Sequence, residues 1–242
     1  MRARNDIVQG MAAGFIAGYV DTLGFVALFG LFTAHVTGNF VLIGAELAQS
    51  GHGLLIKWLA FPAFIVAVAL TRLVARACNR HPRHALRPIL ALQAFFLALC
   101  MMLGLIASPL RNADTLLPIL TGIFGAAAMG VQNAASKLVW ANLAPTTVMT
   151  GNVTQVIVDL VDFLCGERDP AIGERLIKFI WPIVAFGTGA ISGAMAYVQW
   201  SFWALLLPLF ILLMQLLARP VDRQPALQTA TRIRDPTNGR QY

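Results

Sequence analysis

Charge is the first thing this sequence lacks. Only 12% of its 242 residues are Asp, Glu, Lys or Arg, about half the roughly 25% of a soluble domain. Acid is scarcer still, 11 residues against 18 basic ones, giving a net charge of +7. In a soluble chain that excess would point to nucleic acid. Here the arginines flank apolar runs, so they read as topology signals and headgroup contacts, with no nucleic-acid partner. Cysteine is also sparse: Cys78, Cys100 and Cys165 are odd in number and have no CxxC spacing. That excludes a disulfide framework and argues against a bound metal. There is no HExxH, GxSxG, phosphate-binding loop or paired His/Cys cluster, so the sequence predicts neither an enzyme nor a cofactor.

What the chain does have is apolar length. Hydrophobic residues make up 58% of it, and the mean hydropathy is +0.71. Its apolar stretches reach the 18 or more residues needed to cross about 30 Å of hydrocarbon. Full-length spans are expected near 7–30, 58–76, 88–107, 116–138, 179–198 and 201–218. The start resembles a signal peptide, but its apolar run is too long and contains Asp21, so it reads as a retained span. The lipid bilayer is the first partner that the sequence implies.

Two shorter apolar segments repeat each other. "AHVTGNFVLIGAE" (34–46) returns as "VMTGNVTQVIVD" (148–159), matching Thr37-Gly38-Asn39 to Thr150-Gly151-Asn152 and Glu46 to Asp159. Upstream, "GYVD" ending at Asp21 aligns with "GVQN" ending at Asn133. Downstream, "LIKWLAFP" from Leu55 aligns with "LIKFIWP" from Leu176. Four markers in one order imply an internal duplication, with residues 1–110 as one copy and 111–218 as the other. The polar remainder, 219–242, is expected to be a disordered cytoplasmic tail.

Charge decides the topology. If the helices near 37–50 and 150–165 are re-entrant, six spans remain, and of the 18 Lys and Arg only Lys57 and Arg111 lie outside. If both cross, Lys57 and Arg111 move inside but the cluster from Arg72 to Arg87 and Lys137 moves outside, leaving 12 inside and 6 outside. The positive-inside rule favours the first arrangement. The expected fold is therefore all-α and polytopic: six transmembrane helices plus two re-entrant half-helices, with both termini cytoplasmic. Three spans per copy make the repeat inverted.

Each half-helix would begin at its Thr-Gly-Asn, with Thr or Asn capping free amides and Gly allowing the turn. Its positive end points toward the midplane. Thr37, Gly38, Asn39, Thr150, Gly151 and Asn152 are the candidate binding residues for a small polar or anionic solute. Asp21, Glu46, Asn133, Asp159 and Asp162 are candidates for a polar path, because carboxylates are expensive inside a span. Each feature has a plainer alternative. The turns can be caps alone, Asp21 a structural partner for a cap, Lys137 a snorkelling cation and His35 a packing residue. The Gly10-xxx-Gly14-xxx-Gly18 and Gly189-xxx-Gly193 faces suit either internal packing or a homodimer.

"GYVDTLGF", "AHVTGNFVLIG" and the second "TGN" followed by an acid resemble the YoaK-like bacterial membrane proteins, domain of unknown function 1275, over about residues 8–217. The resemblance implies a six-span protein of the bacterial inner membrane and no substrate. The functional expectation is a transporter or channel; a membrane scaffold or assembly protein is the alternative.

Overall fold

The computed structural model describes residues 2–49, 53–78, 82–141, 143–146, 149–167 and 169–218. The tail expected to be disordered, 219–242, lies outside them, as do Ser50 and Val148. Eight α-helices follow in order: α1 (Arg2–Ala27), α2 (Gly38–Gln49), α3 (Leu54–Ala77), α4 (Pro82–Ala107), α5 (Leu116–Leu138), α6 (Met149–Leu164), α7 (Pro170–Trp200) and α8 (Leu206–Leu217). A 3-10 turn, Ser201–Leu205, joins the last two. Five stretches are long and apolar enough to cross a membrane: α1 from Asp6, α3, α4 from Ala85, α5, and the segment Pro170–Leu217. The fold is that of an all-helical, multi-pass membrane protein.

Both short segments are separate helices. α2 starts at Gly38 and α6 at Met149. The last expected span differs: 201–218 holds a 3-10 turn and a helix of only 12 residues. Ser201, with φ +50°, ends α7 there, and a non-glycine residue at positive φ cannot continue a right-handed helix. At the other end Asp169 caps α7 by accepting a hydrogen bond from the Ala171 amide at 2.9 Å, with Pro170 pre-set at the first helical position.

Close contacts give the helix directions. A Cβ on Gly189 would meet Phe15, and one on Gly193 would meet Tyr19, so α1 and α7 run the same way. Ile56 touches Gly122, and Phe64 touches Gly130, so α3 and α5 also run together. Gln132 of α5 reaches back to the Ala13 carbonyl of α1 while Gly122 lies by Leu31; α1 and α5 therefore run in opposite directions. α8 turns back, ending beside Val8 and Gln9.

α1 and α5 form the buried centre, each with 67% of its most apolar window covered; α3 and α4 reach 28% and 33%. α1 packs on α7, and α5 on α3. Small residues permit this: a Cβ on Gly14 would lie 2.7 Å from the Pro182 carbonyl oxygen, and Gly18 sits directly on the Phe186 carbonyl. Without a hydrophobic force between helices in lipid, such backbone approach carries the association. The two glycine faces proposed for a dimer are therefore spent on each other inside one chain. The outer faces carry large apolar side chains, among them Val41, Ile65, Leu73, Ile106 and Phe210, as a lipid-facing surface requires.

Candidate functional site

α1 ends where Phe29 and Gly30 take positive φ, +55° and +77°. The chain then turns back along its own helix, and Asp21, 3% exposed, holds it there. One carboxylate oxygen accepts the Ala34 amide at 2.6 Å and the Thr33 hydroxyl at 3.4 Å. The other lies 2.6 Å from His35 Nδ1. That hydrogen bond to Asp21 pushes the His35 imidazole above its ordinary value of 6.5. A carboxylate at this depth is costly unless paired and hydrogen-bonded, and here it is both.

Asn39 finishes the turn. Its side-chain oxygen accepts the Phe32 amide at 2.9 Å, and its amide donates to the Phe32 carbonyl at 2.8 Å. The expected cap on the half-helix amides is thus replaced by a two-way clamp on the incoming loop. The fork of a side-chain amide matches one backbone donor and acceptor, which no hydroxyl does. Gly38 fits against the Phe32 ring, 3.1 Å from where its Cβ would be, and Thr37 is exposed.

The second copy repeats the clamp at the same spacing. Asn152, also 2% exposed, donates to the Pro145 carbonyl at 2.6 Å, seven residues back as in the first copy. Proline has no N–H, so the reverse bond is missing. Thr150 and Gly151 are exposed. Asn133, the aligned counterpart of Asp21, is half-buried, and its carbonyl accepts the Ser136 hydroxyl. The preceding residue, Gln132, secures the loop instead. Its amide donates to Thr146 Oγ1 at 3.2 Å and to the Ala13 carbonyl at 2.8 Å, and its oxygen accepts Gln93 at 2.7 Å.

One acid on each short helix is matched by a cation on the following long helix. Glu46 accepts Lys57 Nζ at 2.6 Å; Lys57, 1% exposed, also donates to the Phe29 carbonyl at 2.6 Å. Asp159, 1% exposed, takes three bonds from Arg175, at 2.9, 3.1 and 3.3 Å, and one from Gln155 at 3.1 Å. The guanidinium holds that carboxyl below the usual range. Asp162 is half-buried on the same helix, and Lys137 is exposed and outside this network. The two ion pairs sit at opposite ends of α1. Lys57 is beside Phe29, whereas Arg175 shares a cavity of about 640 Å³ with Asp6 and Gly10, roughly 30 Å away along the helix.

The partners His35, Lys57 and Arg175 were not paired with these acids by sequence reasoning. Lys57 carried a signal, a lone cation beside an apolar run; Gln132, a buried amide in a span, carried a fainter one.

A family model described as a protein of unknown function (DUF1275) matches residues 9–218. The chain belongs to this family. It is also 28% identical over 202 residues to the UPF0700 transmembrane protein YoaK of Bacillus subtilis (strain 168), covering 81% of this chain and 86% of that protein. No solved structure matches. Asp21, both Asn clamps and both ion pairs fall within the residues that the family model matches.

Proposed function

We propose that the protein is a transporter or channel of the bacterial inner membrane for a small polar or anionic solute, not an enzyme. Six crossings and two re-entrant half-helices, α2 and α6, form an inverted repeat with both termini cytoplasmic. The observation that carries this reading is the paired architecture. Two short helices, α2 and α6, each carry an Asn clamp and an acid–cation pair, one pair at either end of α1. In inverted-repeat carriers such units rock against each other around a central site. The buried Glu46–Lys57 pair closes the outer end. Arg175, 40% exposed, leaves the cytoplasmic end ajar above the cavity that it lines with Glu174 and Lys178. With Asp6 also on its wall, that cavity sets two acids beside two cations and offers a polar solute both signs of charge. Asp21 and His35 exchange the coupling proton, since protonating the pair changes the charge that the loop presents to the first turn of α2.

The scaffold reading has its own support: both asparagines are satisfied by their own loops, as pure structural clamps would be. Uptake into proteoliposomes separates the two. Small anions and neutral polar metabolites are screened under an imposed pH gradient, with Asp21→Asn beside the wild type. Gradient-driven uptake that the variant loses is the expected result. No uptake of any solute by folded wild-type protein overturns transport in favour of the scaffold. The topology has a separate test in a cysteine-less background. A cysteine at Arg111 should react with an impermeant thiol reagent from outside, and one at Glu167 should not.

A further inference from the structure

Among the described residues, six buried side-chain nitrogen or oxygen atoms have no hydrogen-bond partner in the protein. Four of the six belong to three residues, Gln9 (Oε1), Trp140 (Nε1) and Gln215 (Oε1 and Nε2), and all three line one cavity of about 410 Å³. Buried polar groups are almost always satisfied, so a cluster of orphans around one cavity calls for a ligand or ordered solvent. The cavity lies where α1 begins, α5 has just ended and α8 ends. It is separate from the cavity lined by Arg175 and from both Asn clamps.

The orphaned atoms specify the ligand. Trp140 can only donate, the Gln9 oxygen can only accept, and Gln215 does both. The remaining wall is apolar, with Leu86, Leu90 and Ile211 among its residues, and among the described residues no ionisable side chain lines it. A charged ligand would lose its hydration there without a counter-ion. An uncharged group that both donates and accepts, carried on a short apolar body, meets every requirement. We propose that this cavity is a binding site for a small neutral amide-like or hydroxyl-bearing molecule, entered from the end of the protein where the two terminal helices meet. The proposal is independent of the transport reading.

The test uses the full-length protein in lipid nanodiscs with 15N-labelled tryptophan, the Trp140 indole signal being identified by its loss in Trp140→Phe. Hexanamide should shift that signal saturably. Hexanoate, which is charged, and N,N-dimethylhexanamide, which cannot donate, should not. Gln215→Met and Gln9→Met should each weaken the hexanamide response at least tenfold; methionine suits the apolar wall, and one folded variant suffices. Three outcomes overturn the site. One is no shift with hexanamide, as a cavity that holds water only would give. Another is a non-saturating shift shared by all three probes, which is partitioning into the bilayer. The third is a saturable shift that folded Gln9 or Gln215 variants leave unchanged.

Discussion

In the first copy a carboxylate, Asp21, gathers the loop ahead of the short helix and takes His35 as its partner. In the second an amide, Gln132, holds the corresponding loop through Thr146. The geometry that follows is nearly the same, with Asn39 and Asn152 each reaching seven residues back. The first loop therefore carries a proton-sensitive tie and the second a neutral one. The acid–cation pairs divide in a similar way. Lys57 is wholly enclosed and its partner Glu46 nearly so, whereas Arg175 is 40% exposed over a buried Asp159. The two segments share their asparagine clamp and differ in their charges, as expected if the clamp builds the fold and the charges serve the two ends differently.

The sharpest way to break that comparison is at the ion pairs. Lys57→Met strands Glu46 in a buried position, and removing one partner of a buried pair costs about 3–5 kcal/mol. Denaturation in detergent should show the loss, and adding Glu46→Gln should recover part of it. Asp159→Asn, which leaves only the 40% exposed Arg175 unpaired, should keep the midpoint closer to that of the wild type, since water can solvate that guanidinium. Equal losses at the two sites would erase the distinction between a sealed and an open end.

A smaller effect is expected at the paired glycines. Gly18→Ala drives a methyl into the Phe186 carbonyl, whereas Gly130→Ala places one 2.9 Å from the Phe64 carbonyl. Overpacking costs about 1–3 kcal/mol, and thermal unfolding should show the Gly18 variant nearer the top of that range. The reverse order would mean that the α1–α7 seam yields more easily than the α3–α5 seam.

The smallest effect is a pH dependence near neutrality, expected at His35. His35 has a raised pKa in the folded state. Its stabilising contribution is therefore complete below its unfolded value of 6.5 and fades as pH rises through the folded one. Melting curves of wild type and His35→Gln should converge as the pH is raised above that value. Gln132→Leu, which loosens the second loop, should give a stability deficit independent of pH over the same range. If the gap between wild type and His35→Gln stays constant or widens with pH, the imidazole is not held charged by Asp21.

Apolar length and the repeated Thr-Gly-Asn determined by themselves that the chain is helical, lies in a membrane and contains two short helices at matched places. Those properties follow from local hydrophobicity and from spacing, which a sequence displays directly. The same reading named Asp21, Asn39, Glu46, Asn152 and Asp159, because polar groups are conspicuous among apolar ones. It did not say what each would touch. Asn39 was expected to cap its own helix and instead clamps Phe32, while the tie aligned to Asn133 falls one residue earlier, at Gln132. Only the tertiary structure decided that the glycine faces of α1 and α7 meet within one chain, that Lys57 bends back to Glu46 and Phe29, and that Arg175 rather than Lys137 finds Asp159. Hydropathy carries no information on which side chains converge. That depends on helix direction and rotation about the axis, which are set by backbone contacts between residues more than a hundred positions apart.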